Sequence, residues 1–245
     1  MTARLDRVDA FWARFLGVPV EALRAPGAVA APHATLAGWA GVFVFVREQS
    51  GVASAPPDRV AALQPAILQQ PVSAWLDPRT ARALVGADAG DAIGPSYQGW
   101  LEPPHFRPVP GDVRPLTDGD APAFAALRAA CLPAEWGHGG LEGCAGDRWG
   151  AFHGGDLVAV AGLRERAAGA LDPGVIVHPE WRGRGHGLAV ASAAVKDAVR
   201  RDALVLYQTL AANAPAVTIA RRLGFERYAG HVAVRLAAGG AHSPV

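Results

Sequence analysis

The sequence has few of the features that mark secreted, membrane or metal-binding proteins. It contains two cysteines, Cys131 and Cys144, which lack C-x-x-C spacing and an accompanying histidine pattern. We therefore expect free or buried thiols and no metal site. No apolar run reaches the roughly 18 residues that a membrane span needs, and no basic stretch followed by an apolar core opens the sequence. These absences predict a cytoplasmic protein without a membrane anchor.

The charge is nearly balanced, with 23 Lys and Arg against 22 Asp and Glu, a net charge of +1. A general nucleic-acid or membrane-surface binder would show an excess of basic residues, so both classes are disfavoured. The 245 residues are 51% hydrophobic, which suits a globular protein large enough for two modest domains.

A proline-rich stretch divides the chain. Residues 101–112 contain four prolines and a glycine between segments of periodic hydrophobicity. Such a composition is typical of a linker. We predict an N-terminal α/β domain of unknown role over 1–105, a linker over 106–112 and a second domain over 113–245.

The most informative stretch lies at 175–189, where an apolar strand runs into a loop rich in glycine and arginine that opens into a helix. The glycines remove side chains where a ligand approaches the backbone, and the N–H groups of the helix start attract an anion. The arginines add donors suited to phosphate. The glycines are Gly183, Gly185 and Gly187, and the arginines are Arg182 and Arg184.

The spacing of these glycines separates the known phosphate loops. A dinucleotide-binding G-x-G-x-x-G needs glycine where Leu188 stands, and a P-loop needs Lys-Ser/Thr where Leu188 and Ala189 stand. The remaining pattern, Arg182-x-x-Gly185-x-Gly187, resembles the acetyl-CoA-binding motif of the GNAT superfamily of N-acetyltransferases. The alternative is a flexible surface turn.

A second segment, residues 213–225, resembles the region where that family places an Asn after its fifth strand and a short helix ending in Gly-Phe. Pro215 suits a first helical turn, and Gly224 suits a C-terminal stop. Val217, Ala220 and Leu223 form one apolar stripe. With both segments in order, the resemblance covers roughly residues 112–237.

Periodicity predicts the elements around these motifs. In the second half we expect a strand at 113–116, a helix, a hairpin of strands 149–153 and 157–161, and a strand at 174–178. A helix over 185–201 and strands at 203–210 and 231–236 complete the order. In the first half we expect a helix over 5–16, a strand at 39–46 pairing with 52–54, and a helix after Pro57. We expect the first half to give structural support and to help form the substrate cleft. Whether it is a degenerate acetyltransferase copy, and so an internal repeat, stays open.

The resemblance implies an α/β fold with a mixed sheet, GNAT-like in its C-terminal half. It implies transfer of an acetyl group from acetyl-CoA to a primary amine of a small molecule or peptide, without a metal or nucleic acid, and leaves a homodimer open. The implied acetyl-CoA ligands are Ile176, Val177, His178, Arg182, Gly183, Arg184, Gly185, His186, Gly187, Leu188 and Asn213.

The catalytic residues are less defined. Family members commonly carry a general-acid Tyr seven residues after the Asn, and Ala220 stands at that position. We expect Tyr207 and Tyr228 to be packing residues. The candidate general bases are Glu135 and Glu142, in a glycine-rich segment that we expect to be mobile. The missing Tyr keeps a second function open, a catalytically silent acyl-CoA-binding sensor or interaction protein.

Overall fold

The computed structural model describes residues 2–142, 144–166 and 169–237, so the last eight residues of the predicted second domain lie outside it. Within this range the chain divides into two compact units, each discontinuous in sequence. The first unit contains residues 2–99, 208–214 and 227–237, and the second contains the described residues of 100–207 and 215–226. The predicted domains are contiguous instead, and the linker at 106–112 stays a prediction.

The helices of the described chain are α1 (Ala3–Leu16), α2 (Glu21–Arg24), α3 (Val60–Leu68), α4 (Pro78–Val85), α5 (Ala121–Ala130), α6 (Pro133–His138), α7 (His186–Arg200) and α8 (Ala214–Leu223). The strands are β1 (Gly27–Pro32), β2 (Gly41–Arg47), β3 (Ser50–Ala55), β4 (Ala89–Ile93), β5 (Ser96–Trp100), β6 (Val113–Pro115), β7 (Cys144–His153), β8 (Asp156–Glu165), β9 (Leu171–Val177), β10 (Leu206–Leu210) and β11 (Glu226–Leu236).

The sheet of the first unit is mixed. Among the described residues its order is β1-β3-β2-β11-β5-β10, and β4 also pairs with β11. β1 runs parallel to β3, whereas β2 is antiparallel to both β3 and β11. The strand predicted at 231–236 is therefore the C-terminal part of β11, and it lies beside β2 in the sheet of the first unit. Its valines Val232 and Val234 are fully buried, which gives this pairing its hydrophobic stabilisation.

A buried ion cluster joins α1 to this sheet. The carboxylate of Asp9, on α1, is fully buried and accepts hydrogen bonds from Arg24 Nε at 2.6 Å and Arg47 Nη1 at 2.6 Å. The hydroxyl of Tyr228, on β11, donates to the same carboxylate at 2.7 Å. Burial and the neighbouring Asp9 raise the pKa of Tyr228, so its hydroxyl stays a donor. Tyr228 is thus a packing and hydrogen-bonding residue.

The second unit is built on an antiparallel sheet of order β6-β7-β8-β9. The predicted hairpin is confirmed, with β7 and β8 joined at the turn after His153. The two faces of β9 pack against different helices. A side chain built on Gly187 of α7 would lie 2.9 Å from Val177, whereas Ile176 packs on the other face with Trp136 of α6 and Leu127 of α5.

Several predicted elements match the structure and others do not. The helices predicted over 5–16 and 185–201 are confirmed as α1 and α7, within one or two residues. The expectation that 135–142 is a mobile loop is wrong in part, because α6 forms with Pro133 in its first turn and Glu135 accepting from the Leu132 N–H at 3.2 Å. β1 and β4 were not predicted, since their Ala- and Gly-rich sequences have weak strand propensity.

Two further observations concern the described residues only. They contain no helix with the length and apolar character to cross a membrane. They also contain no group of three or more His, Cys, Asp or Glu side chains placed to hold a metal ion.

Candidate functional site

The predicted acetyl-CoA loop connects β9 to α7. After β9 a short 3-10 turn covers Pro179–Trp181, and the loop 182–185 leads into α7. Gly183 has a φ of +75° and Gly185, the N-cap of α7, a φ of +89°. Both values lie in the left-handed region that side chains disfavour. A Cβ at either position would meet nothing within 4 Å. These glycines are therefore needed for backbone conformation, and the space in front of them is open.

Gly187 has a different role. A side chain there would come within 2.9 Å of Val177 Cγ2 and 3.5 Å of Ile219 Cδ1. Gly187 is buried and lets α7 pack closely on β9. The open space at Gly183 and Gly185 leaves their role in ligand binding a prediction, whereas the surroundings of Gly187 show that it serves helix–strand packing.

The start of α7 presents backbone donors. No side chain caps the helix, and its first intrahelical hydrogen bond runs from the Ala189 N–H to the Gly185 carbonyl at 3.1 Å. The N–H groups of His186, Gly187 and Leu188 therefore have no partner inside the helix. Together with the positive end of the helix dipole they form an arrangement that favours an anion.

Arg182 is held at the base of the loop. Its Nη1 lies 2.9 Å from Glu135 Oε1, and its Nε donates to the Val177 carbonyl at 3.4 Å. The Arg182 guanidinium beside Glu135 holds the pKa of that carboxyl below its usual value, and Glu135 raises the pKa of Arg182 in turn. Glu135, a candidate base from the sequence, is thus an ion-pair partner of the loop.

An aromatic group lies at the other side of the loop. Arg184 places its guanidinium 4.6 Å from the centre of the Trp181 ring. His153 contacts Trp181 at 4.3 Å and His186 meets the same ring edge-on at 5.7 Å between ring centres. The sequence analysis did not connect His153 with the loop because it lies at the end of β7, and no spacing in the sequence relates that strand end to the loop.

The remaining predicted ligands lie on β9, directly after it or on α7, except for Asn213. Ile176 and Leu188 are buried, and His178 Nδ1 accepts from the Glu180 N–H at 3.3 Å to cap the 3-10 turn. Asn213 follows β10 in the first unit, where its N–H donates to the Leu210 carbonyl at 2.9 Å. The role of each in ligand binding stays a prediction.

The candidate catalytic positions have these environments. Glu142 is exposed, and Arg128 Nη2 donates to it at 3.1 Å. Ala220, at the position of the family's general-acid Tyr, has no exposed surface. Tyr207 is buried and packs edge-on against Phe225 at 5.2 Å between ring centres.

A close backbone contact brings the segment after α6 onto β9. A Cβ on Gly174 would lie 2.6 Å from the Gly139 carbonyl oxygen and 2.9 Å from that of Gly140. A Cβ on Gly139 would overlap the Ile176 side chain. Only glycine permits this approach, so these residues fix the segment carrying Glu135 against the strand that leads into the loop.

Comparisons with known proteins agree with this geometry. Residues 116–225 match the model of the acetyltransferase (GNAT) family. A GNAT-family acetyltransferase structure from Colwellia psychrerythraea aligns with a TM-score of 0.51 and 16% identity, over 80% of this chain and 81% of that one. At that identity it establishes the fold.

Two further structures align at lower TM-scores. A GNAT-family protein from Novosphingobium aromaticivorans is 25% identical with a TM-score of 0.48, over 60% of this chain and 65% of that one. A GCN5-related N-acetyltransferase from Kribbella flavida is 20% identical with a TM-score of 0.48, over 66% and 65%. The match thus spans just under two thirds of these two relatives.

No curated protein matches the sequence. The family assignment therefore depends on the family model together with the fold and the strand–glycine–helix loop described above. Residues 116–225 of this chain match the acetyltransferase (GNAT) family, and the fold of the chain agrees with that match.

Proposed function

We propose that this protein transfers an acetyl group from acetyl-CoA to a primary amine of a small molecule or peptide. The observation that carries the proposal is the start of α7, where two glycines with positive φ, an uncapped helix and two arginines meet. Backbone N–H groups from Gly183 to Leu188 would hold the pyrophosphate, with Arg182 and Arg184 beside it. When bound, acetyl-CoA supplies a thioester-activated acetyl group.

The chain's own contribution to the chemistry is mainly positioning. Holding an amine next to a thioester can by itself accelerate acyl transfer strongly. The amine must be neutral to attack, and a lowered pKa makes Glu135 a weak base for that purpose. We therefore assign Glu135 to holding Arg182 at the loop, and the role of Glu142 as a base stays a prediction.

One observation favours a second candidate function, a catalytically silent acyl-CoA sensor. Ala220 stands where the family has its general-acid Tyr. Tyr207 and Tyr228 do not offer a free hydroxyl to a thiolate, because Tyr207 packs in the interior and Tyr228 donates a hydrogen bond to Asp9. Release of free thiol from acetyl-CoA with a panel of amines separates the two functions. The sensor would bind acetyl-CoA and give background thiol release with every amine.

The acetyl-CoA site is tested by Gly185→Asp. Asp introduces a negative charge at the N-cap of α7 and a side chain at a φ of +89°. We expect acetyl-CoA affinity to fall by about 100-fold, because the carboxylate would stand beside the pyrophosphate in a partly desolvated site. Isothermal titration calorimetry with acetyl-CoA measures the change.

The matched control is Gly185→Asn, which has nearly the same shape without the charge and tolerates a positive φ. It should lose less affinity than the Asp variant. A folded Gly185→Asp protein with wild-type affinity would show that the pyrophosphate binds at another place.

Glu135→Gln tests the ion pair with Arg182. Because the pKa of Glu135 is lowered, its carboxylate is ionised at every pH above the ordinary pKa of a glutamate. The ion pair is therefore fully formed at neutral pH, and it is lost only as the pH falls through the lowered pKa of Glu135. Gln keeps the hydrogen-bonding shape and removes the charge. We expect acetyl-CoA affinity to rise about two- to fivefold, since one negative charge beside the pyrophosphate disappears.

Turnover in Glu135→Gln should remain close to wild type, and Asp147→Asn, which removes an exposed charge from the same unit, should change neither quantity. A role of Glu135 as general base predicts a different result. Loss of a general base lowers turnover by roughly 10²- to 10⁴-fold, and such a fall at unchanged acetyl-CoA affinity would identify Glu135 as the base.

A further inference from the structure

The second unit contains buried donors that have no acceptor among its described side chains, and two of them lie on one face of its sheet. Of the five buried side-chain nitrogens without a hydrogen-bond partner in the described parts of the chain, three lie in this unit, and all three are N–H donors. They are Trp136 Nε1, Arg148 Nε and Arg164 Nε. Buried donors in folded proteins are almost always paired with a protein group, an ordered water or a ligand, so these three mark places where water or a ligand supplies the acceptor.

The two arginines stand close together. Arg148 on β7 is in register with Gly162 on β8, and Arg164 follows two residues later on the same face of β8. The spacing along the strand is about 7 Å, which one carboxylate or phosphate group can span between two guanidinium groups. A side chain built on Gly162 would lie 3.5 Å from Arg148 Cγ and 2.9 Å from Cys144 Sγ. Cys144 is itself in register with Arg164.

Positive charge exceeds negative charge at this face. Arg164 and Arg166 share one carboxylate, that of Asp172, at 2.7 and 3.2 Å. Arg148 has no carboxylate partner among the described residues, and its guanidinium lies 5.1 Å from the centre of the Phe124 ring. A neutral acceptor could satisfy the orphaned donors, but only an anion also balances the charge.

This face is covered by the segment after α6 and lies away from the helix α7. A side chain on Gly140 would lie 3.7 Å from the Arg164 guanidinium carbon, so the segment after α6 covers Arg164 as well as Gly174 of β9. The helix α7, whose N-terminus is the proposed pyrophosphate site, packs on the opposite face of β9 through Gly187. A ligand at the two arginines is therefore separate from the pyrophosphate.

We infer that Arg148 and Arg164 bind an anionic group, a carboxylate or a phosphate, of the amine that accepts the acetyl group. We call these two residues the arginine face. The identification of the ligand as the acceptor rests on the proposed function, whereas anion binding at the face does not.

Anion binding is tested first without any turnover. In ¹⁵N-labelled protein, the Nε–Hε signals of Arg148 and Arg164 are assigned with Arg148→Gln and Arg164→Gln and followed by NMR during titration with acetate, inorganic phosphate and acetamide. We expect saturable shifts of both signals with acetate or phosphate and none with acetamide, and the tighter anion identifies the group. Signals that do not respond to either anion would overturn the inference, whether or not the variants fold.

The acceptor is tested second, by thiol release from acetyl-CoA with paired amines. The pairs are amino acids against their amides and phosphoethanolamine against ethanolamine. We expect kcat/KM to favour the charged member by about 10- to 100-fold, and Arg148→Gln to remove this preference through KM. Arg201→Gln, at an exposed arginine paired with Asp197, is the matched control and should retain the preference.

The NMR titration and the thiol-release assay together distinguish a failure of the anion site from a failure of the proposed acetyltransferase activity. Turnover with equal preference for charged and neutral amines would overturn the assignment of this face to the acceptor. Background thiol release with every amine, together with saturable arginine shifts, would contradict the proposed acetyltransferase activity and support the anion site.

Discussion

A fragment that begins at residue 113 is expected to be insoluble, although it contains the whole match to the acetyltransferase family. The reason is β11, which runs from Glu226 to Leu236 and lies between β2 and β5 in the sheet of the first unit. Removing residues 1–112 deletes both neighbours, together with β4. The strand would then expose two open edges and the buried side chains of Val232, Ala233 and Val234. An apolar strand with open edges is a template for aggregation.

The measurement is the soluble yield of residues 113–245 expressed alone, followed by size-exclusion chromatography. The control is co-expression of residues 1–112 as a separate chain, which restores β2, β4 and β5 and should return soluble protein as a complex of both fragments. A monomeric 113–245 fragment with a cooperative thermal transition would contradict the expectation and support the contiguous domain boundary drawn from the sequence.

The sequence predicted the loop well because its information is local. An apolar strand, glycines that permit positive φ and a helix start all lie within residues 175–189, and each has a direct sequence signal. The short helix α6 also had a signal, Pro133 followed by Glu135 as in a capped first turn, but the surrounding glycines suggested a loop.

What could not be predicted depends on contacts between distant parts of the chain. The pairing of Val234 with Val42 and the ion pair of Arg182 with Glu135 leave no periodic pattern in a single sequence. Likewise, the hydrophobic alternation of β11 indicates a strand but does not indicate which strand lies beside it. The interpretation of the first half as a degenerate acetyltransferase copy remains a hypothesis for the same reason.

Asp9→Asn is expected to destabilise the protein by about 3–5 kcal/mol, the typical cost of removing one partner from a buried ion pair. Asp9 has no exposed surface, and its carboxylate accepts from two arginines and from the Tyr228 hydroxyl. Asn has nearly the same volume, so packing is preserved while the charge is lost. Arg47, whose side chain is only 12% exposed, would then be a buried cation without its counter-ion.

Urea unfolding monitored by circular dichroism measures the free energy of unfolding. Asp6→Asn is the matched control, because Asp6 lies on the same helix and accepts from the same Arg24 at 2.6 Å, but its side chain is 53% exposed. Exposed ion pairs contribute about 0–1 kcal/mol, so this variant should unfold close to wild type. Tyr228→Phe, which removes one donor to Asp9, should fall between the two. Equal, small effects at Asp6 and Asp9 would show that the ion cluster contributes little to the fold, and that apolar packing alone fixes α1 to the sheet.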